Sequence, residues 1–346
     1  DPASPDPAAL RPAADTLRRG GLVAFPTETV YGLGAHALDP AAVARIYAAK
    51  GRPGYNPLIV HVADADAARA LTRAWPREAD ALAAAFWPGP LTLVLPKNDA
   101  VPDSVTAGLP SVALRVPAHP VAHALLRLAG IPVAAPSANR STEVSPTTAQ
   151  HVVRSLGERV DVIVDGGPCP VGIESTVLSL AGPVPTLLRP GTISVDDLRP
   201  VIGDVALPSA APDATAARPS PGMLDRHYAP RAELRLFEWS DLSQPDLVIE
   251  QMQPDGTTAL LMIELKSRRD GGTSGRALQA NAYHADILPS ATLFEMPDDP
   301  AEYAARLYSL LHELDDRGFR RIWVQQPPDA PAWAGVRDRL RRAATS

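Results

Sequence analysis

The chain has 346 residues, 45% hydrophobic and 21% charged, an ordinary globular composition and enough for two cores at the usual domain size of roughly 100 to 200 residues. A formal net charge of −6 argues against an extended nucleic-acid footprint but leaves room for a local basic pocket holding a phosphate-bearing small molecule. A single cysteine, Cys169, excludes an internal disulfide and a cysteine metal cluster, and no apolar run reaches the roughly 18 to 20 residues of a membrane span. The opening "DPASPDPAAL" lacks the basic and apolar regions of a signal peptide, so the expected setting is the reducing cytoplasm.

In chain order, the first part of the chain, up to about residue 191, carries short β-rich runs: "GLVAFP", "PLIVHV", "PLTLVLP", "SVALRVP", "IPVAAPSA", "VDVIVDGG", "ESTVLSL" and "PTLLRPG". Helical patterns between some of them predict an α/β unit with a large mixed sheet. "YGLGAHA" has two glycines of a GxGxxG motif without the third, a weak nucleotide signal. The clearest helix is "DPAAVARIYAAKG", with Asp39 as N-cap, Pro40 in the first turn and Gly51 just past the end. Val43, Ile46 and Tyr47 form its apolar stripe, and Lys50 continues that stripe, although a lysine in a last turn also suits the helix dipole.

The stretch "AAKGRPGYNPLIVHV" then gathers Lys50, Arg52, Asn56 and His61 between helix and strand. In "SVALRVP", alternation sets Val112, Leu114 and Val116 on one face and Ser111, Ala113 and Arg115 on the other, which suits either a cavity wall or a solvated face. His119 and His123 stand four apart without a third metal ligand, a poor zinc site. "APSAN" puts Ser137 and Asn139 at a strand exit, where ligands bind in open α/β sheets. Ser145 is expected as an N-cap with Pro146 behind it, opening a helix that runs to about Gly157 and offers an anion site.

Neither a phosphate-loop motif nor a serine nucleophile with histidine and aspartate partners is present. What remains is a set of cations, hydroxyls and amides without a nucleophile: Lys50, Arg52, Arg115, Ser137, Asn139, Ser145 and Arg189. That inventory suits a triphosphate, where catalysis is positioning and electrostatics and the substrate brings its own nucleophile.

The proline- and alanine-rich "ALPSAAPDATAARPSPG", Ala206 to Gly222, has too few large apolar side chains for a core. It divides the chain into a unit at 1–204, a linker or strap at 205–231 and a second unit at 232–346. The second unit reads as a small α/β sandwich: strands in "RAELRLFEW", "TTALLMIEL", "ATLFEMP" and "RRIWVQQ", helices in "DPAEYAARLYSLLHELDDRG" and "AWAGVRDRLRRAA". It lacks a dense polar cluster, which suggests a regulatory or lid role.

Eight segments, "FPTETVYGLG", "KGRPGYNPLIVH", "FWPGPLTLVL", "SVALRVPAHP", "APSANRSTEVSPTTAQHV", "GIESTV", "LRPG" and "SPGMLDRHYAP", resemble in order and spacing the threonylcarbamoyl-AMP synthases, the two-domain Sua type of the YrdC-like family. The resemblance spans essentially the whole chain. It implies a YrdC-like twisted mixed sheet with a large open cavity and a smaller C-terminal, Rossmann-like α/β domain. The implied reaction joins L-threonine, bicarbonate and ATP, with magnesium, to give threonylcarbamoyl-AMP, pyrophosphate and water, for transfer to tRNA as the t6A modification by downstream machinery.

Position by position, the resemblance places Thr29, His61, Arg115, Ala135 and Ser175 on the threonine side. Arg52, Asn56, Ser111, Ser137, Ser145, Arg189 and Tyr228 fall on the ATP side, with Lys50 and Asn139 beside the phosphates. The chain departs from the pattern at Gly54 and Tyr55, at Thr142, where glycine is frequent, and at Leu224 and Asp225. Two rival functions share parts of this inventory: a carbamoyl-AMP-forming enzyme of the hydrogenase-maturation type, and a structured-RNA-binding protein.

Overall fold

The computed structural model describes residues 2–207, 227–238, 256–263 and 291–344. Nine strands form one sheet: β1 (Val23–Phe25), β2 (Gly32–His36), β3 (Ile59–His61), β4 (Leu91–Pro96), β5 (Ser111–Arg115), β6 (Val133–Ala134), β7 (Val162–Ile163), β8 (Thr176–Ser179) and β9 (Thr186–Arg189). Their order is β7-β1-β2-β6-β3-β5-β4-β8-β9. The pairs β1/β7, β3/β5 and β4/β8 are parallel and the other neighbours antiparallel, so the sheet is mixed as expected. The eight β-rich runs each supply one strand. The ninth, β2, comes from "YGLGAHA", where two glycines conceal the alternation that marks a strand.

Alternation on β5 sorts the two faces. Val112 and Leu114 join the main core with Leu58, Val60 and Val62 around β3, while Ala113 and Arg115 lie on the opposite face. The helix Pro40–Lys50 begins as its caps demand, with the Asp39 side chain accepting from the Ala41 N–H and Gly51 leaving in the left-handed region at φ 62°. Val43 and Ile46 bury its stripe in the same core, and Lys50 is buried at its end.

The second sheet is all parallel, in the order β10-β13-β11-β12, with β10 (Glu233–Phe237), β11 (Thr258–Ile263), β12 (Ala291–Met296) and β13 (Arg321–Gln325). Its helices Pro300–Asp316 and Ala334–Ala343 carry the apolar faces anticipated for them. Val30, Val144 and Ile173 of the first unit pack in one cluster with Leu307, Tyr308 and Val336 of the second. Two glycines permit this approach: a Cβ on Gly172 would stand 2.3 Å from the Ala304 carbonyl oxygen, and one on Gly335 would stand 2.5 Å from that of Gly191. Residues 208–226, most of the segment read as a strap, lie outside the described residues, as do Leu224 and Asp225.

Candidate active site

Parallel pairing of β3 with β5 sets His61 opposite Arg115 on the face away from the main core. Arg115 is buried and donates through Nε to the Gly89 carbonyl at 3.2 Å, through Nη1 to Thr29 Oγ1 at 2.9 Å and through Nη2 to Glu28 Oε1 at 2.6 Å. Glu28 also accepts from the Ala118 N–H at 3.0 Å, which fixes the carboxylate that holds the arginine. Burial first, and Arg115 second, push His61 down to about 3, so it stands as a neutral imidazole. Its Nδ1 is buried without a hydrogen-bond partner among the described residues.

Arg52 follows the helix end and is turned inward, donating to the Asn56 carbonyl at 3.1 Å and the Pro57 carbonyl at 2.8 Å. Burial lowers its pKa to about 10, leaving it charged at neutral pH. The Asn56 side-chain amide is fully buried, and neither its oxygen nor its nitrogen has a partner among the described residues. Lys50, expected beside the phosphates, is engaged with the strand-exit loop. Its ammonium donates to the Ser137 and Asn139 carbonyls, and burial, then Arg52, depress its pKa well below the usual value. Lys50 therefore supports the strand-exit loop from behind. Asn139 is likewise internal, its Nδ2 donating to the Glu143 carbonyl at 2.8 Å.

The helix expected at Ser145 starts later. Thr148 is the N-cap, accepting from the His151 N–H, and the helix spans Ala149–Ser155. Ser145 Oγ instead donates to the buried carboxylate of Glu174, at Oε1, at 2.5 Å. The neighbouring Pro146 carbonyl accepts from the Tyr31 N–H at 2.9 Å. The anion site inferred at a helix start is thus replaced by side chains. His119 and His123 are structural: one accepts from the Val121 N–H as an N-cap, the other meets the Ala63 carbonyl at 2.9 Å. Cys169 is buried, and burial pushes its thiol up.

Glu174 is the residue sequence reasoning missed, along with Glu28 and the groups of the second unit that meet it. Its Oε2 accepts from Arg339 Nε at 2.7 Å and Tyr308 OH at 3.1 Å, both in the C-terminal helices. Burial alone would raise its pKa, yet Arg339 and then Arg189 pull it to about 2. The expectation that the second unit contributes no polar cluster is corrected here, since Arg339 is fully buried and lies 5.3 Å from the Tyr228 ring centroid. Arg189 donates to the Ser175 carbonyl and Oγ at 2.9 and 3.1 Å, and Ser175 shares a 2.8 Å hydrogen bond with Thr92.

These groups enclose one cavity of about 50 Å³, lined by Thr29, Arg52, His61, Arg115, Ala135, Ser137, Glu174, Ser175, Arg189, His227 and Tyr228 among others. Asn56, Ser111, Ser145, Lys50 and Asn139 stand outside that lining; Ser111 opens β5 against Pro96. His227 and Tyr228, at the end of the strap segment, are buried and line the cavity. Tyr228 holds a left-handed φ of 61° and stacks on Tyr308 at 5.8 Å. A resident magnesium site does not fit the described donors. No cluster of three acidic, histidine or cysteine side chains exists among them, and both Glu174 oxygens are engaged.

Residues 15–191 match the family described as "Telomere recombination", and residues 193–345 match "Threonylcarbamoyl-AMP synthase, C-terminal domain". The chain is 44% identical to the threonylcarbamoyl-AMP synthase of Bacillus subtilis (strain 168), over 96% of this chain and 92% of the relative. The chain belongs to the threonylcarbamoyl-AMP synthase family. The synthase of Pyrococcus abyssi (strain GE5 / Orsay) is 40% identical over 96% of this chain and 93% of its own. A crystal structure of P. abyssi Sua5 complexed with L-threonine superposes with a TM-score of 0.85 at 38% identity, covering 99% and 95% of the two chains. No described helix is long and apolar enough to cross a membrane.

Proposed function

We propose that this family member forms L-threonylcarbamoyladenylate from L-threonine, bicarbonate and ATP. The observation that carries the reading is a set of buried polar groups left without partners around one cationic cavity. His61 Nδ1, His227 Nδ1 and Tyr228 OH, on residues that line it, are buried and unpaired among the described residues. Buried polar groups almost always have partners, so a polar ligand is the natural complement. Arg52, Arg115 and Arg189 supply positive charge to the same cavity, which suits a carboxylate and phosphates together.

In this reading, Arg115 retains two of its five guanidinium N–H groups beyond its three protein contacts, and these take the threonine carboxylate. Neutral His61, Thr29 and Ser175, with Ala135 as an apolar wall, surround the rest of the amino acid. Arg52, Arg189, Ser137, Asn56, Ser145 and Tyr228 take the nucleotide, and Lys50 and Asn139 hold the loop that presents Ser137. The threonine amine captures bicarbonate as a carbamate with loss of water. A carbamate oxygen then attacks the α-phosphorus, the bond to the β-phosphate bridge breaks, and pyrophosphate leaves. Magnesium arrives on the triphosphate as part of the substrate. The product is a mixed anhydride suited to transfer onto tRNA by a separate enzyme in the cytoplasm.

Relatives sharing this activity's name match both units of the chain, which favours this reading over a carbamoyl-AMP-forming or RNA-binding one. Pyrophosphate release from ATP and bicarbonate, measured with and without threonine, tests it. Release should require threonine and yield threonylcarbamoyl-AMP on chromatography; threonine-independent release, or none, overturns it.

A further inference from the structure

We propose that Arg339, a side chain of the second unit, is a positioning residue for the nucleotide side of the cavity, acting on Ser145 through Glu174 and on Tyr228 directly. The inference rests on the reading that Ser145 and Tyr228 serve the nucleotide.

Arg339 lies on the helix Ala334–Ala343 and is fully buried, on the face that also buries Val336 and Ala343. Its guanidinium spans the junction between the units. Nε donates to Glu174 Oε2 at 2.7 Å, Nη2 to the Glu174 carbonyl at 3.1 Å and Nη1 to the Pro190 carbonyl at 2.9 Å. Asp338, bonded to Nη1 at 2.8 Å, holds the guanidinium from its own helix. The grip on Glu174 continues to Ser145, whose hydroxyl has that carboxylate as its acceptor, and His312 braces Ser145 from the other side at its carbonyl, 3.1 Å away.

The second path is direct. Tyr228 holds a left-handed backbone, costly for an aromatic residue, and persists there only if its surroundings over-determine it. The guanidinium of Arg339 and the ring of Tyr308 are two such constraints, both from the second unit. One buried arginine therefore links two groups on the nucleotide side, and its geometry depends on the close docking at Gly335 and Gly191. A planar fork with several fixed donors does this; an ammonium on a flexible stem does not.

The test compares Arg339→Lys, which retains the charge, with the double variant Arg339→Met/Glu174→Gln, which removes both charges of the pair together. ATP affinity is read by calorimetry beside the KM values for ATP and threonine, with cooperative melting confirming the fold. Both variants should weaken ATP binding on the order of ten- to a hundred-fold, the scale of a small misplacement of binding groups, while the threonine KM moves less than about two-fold. Wild-type ATP affinity in either folded variant, or equal damage to both substrates, overturns the proposal. Absence of threonine-dependent turnover in the unaltered protein would count against the function reading, and the ATP affinities would still judge Arg339.

Discussion

Replacing Arg115 by lysine separates its charge from its shape. The guanidinium is held by the Gly89 carbonyl, Thr29 Oγ1 and Glu28 Oε1, and two N–H groups remain for a ligand carboxylate. A hydrogen bond to a charged group contributes about 1.5 to 3 kcal/mol. With 1.4 kcal/mol per factor of ten, losing one of the two contacts raises the threonine KM about 10- to 150-fold. Lysine still neutralises Glu28, whose side chain is 8% exposed, so the melting temperature should move little. Arg115→Ala behaves differently, because it leaves that carboxylate buried and unpaired at a cost of about 3 to 5 kcal/mol. Initial rates of pyrophosphate release against threonine and against ATP, with thermal melts of each variant, supply the comparison. An unchanged threonine KM in Arg115→Lys, or an equal rise in both KM values, would refute the assignment.

Arg52→Ala should lower pyrophosphate release ten- to several-hundred-fold at saturating threonine, since a charge-assisted phosphate contact is worth about 1.5 to 3 kcal/mol and more in the transition state; a folded variant with near-normal release contradicts this. Thr142 holds φ 75°, so Thr142→Gly should raise stability in urea titrations by up to about 1 kcal/mol, strain relief of about 1 to 3 exceeding the entropic cost of glycine. Burial chiefly holds His61, His151 and His227 at about 3 and lowers His312. Between roughly pH 3 and 6.5 the unfolded chain binds more protons than the folded one, so stability is complete above about pH 6.5 and falls on acidification. A urea midpoint that holds from pH 7 to pH 4 would disprove that linkage.

Most strands of the two sheets were legible as short apolar runs, and the period of two put Arg115 on the face opposite Val112 and Leu114; that His61 stands opposite Arg115 came only from the pairing of β3 with β5. The same logic read Lys50 as inward because it continued an apolar stripe. Arg339 carries that signal too, three positions after Val336 and four before Ala343, but its stripe lay in a unit that seemed to lack polar chemistry. The acidic partners had no local signature. Glu28 meets Arg115 across 87 positions and Glu174 meets Arg339 across 165, separations that only the folded chain brings together. Ser145 was misread as a cap for a related reason: its acceptor, Glu174, lies 29 residues away, while Thr148 caps locally.

The 165 positions between Glu174 and Arg339 also set a schedule for synthesis. Chains emerge at roughly 5 to 20 residues per second and fold from the N-terminal side, so Glu174 exists for about 8 to 33 s before residue 339 is added. During that interval Arg189 and Ser145 have been made, but the arginine that completes the Glu174 ion pair has not. The surroundings of Glu174 are therefore completed late, when the helix Ala334–Ala343 docks against Gly191. A chain made only as far as the linker carries the cavity groups up to Arg189 without the partner that completes the Glu174 ion pair.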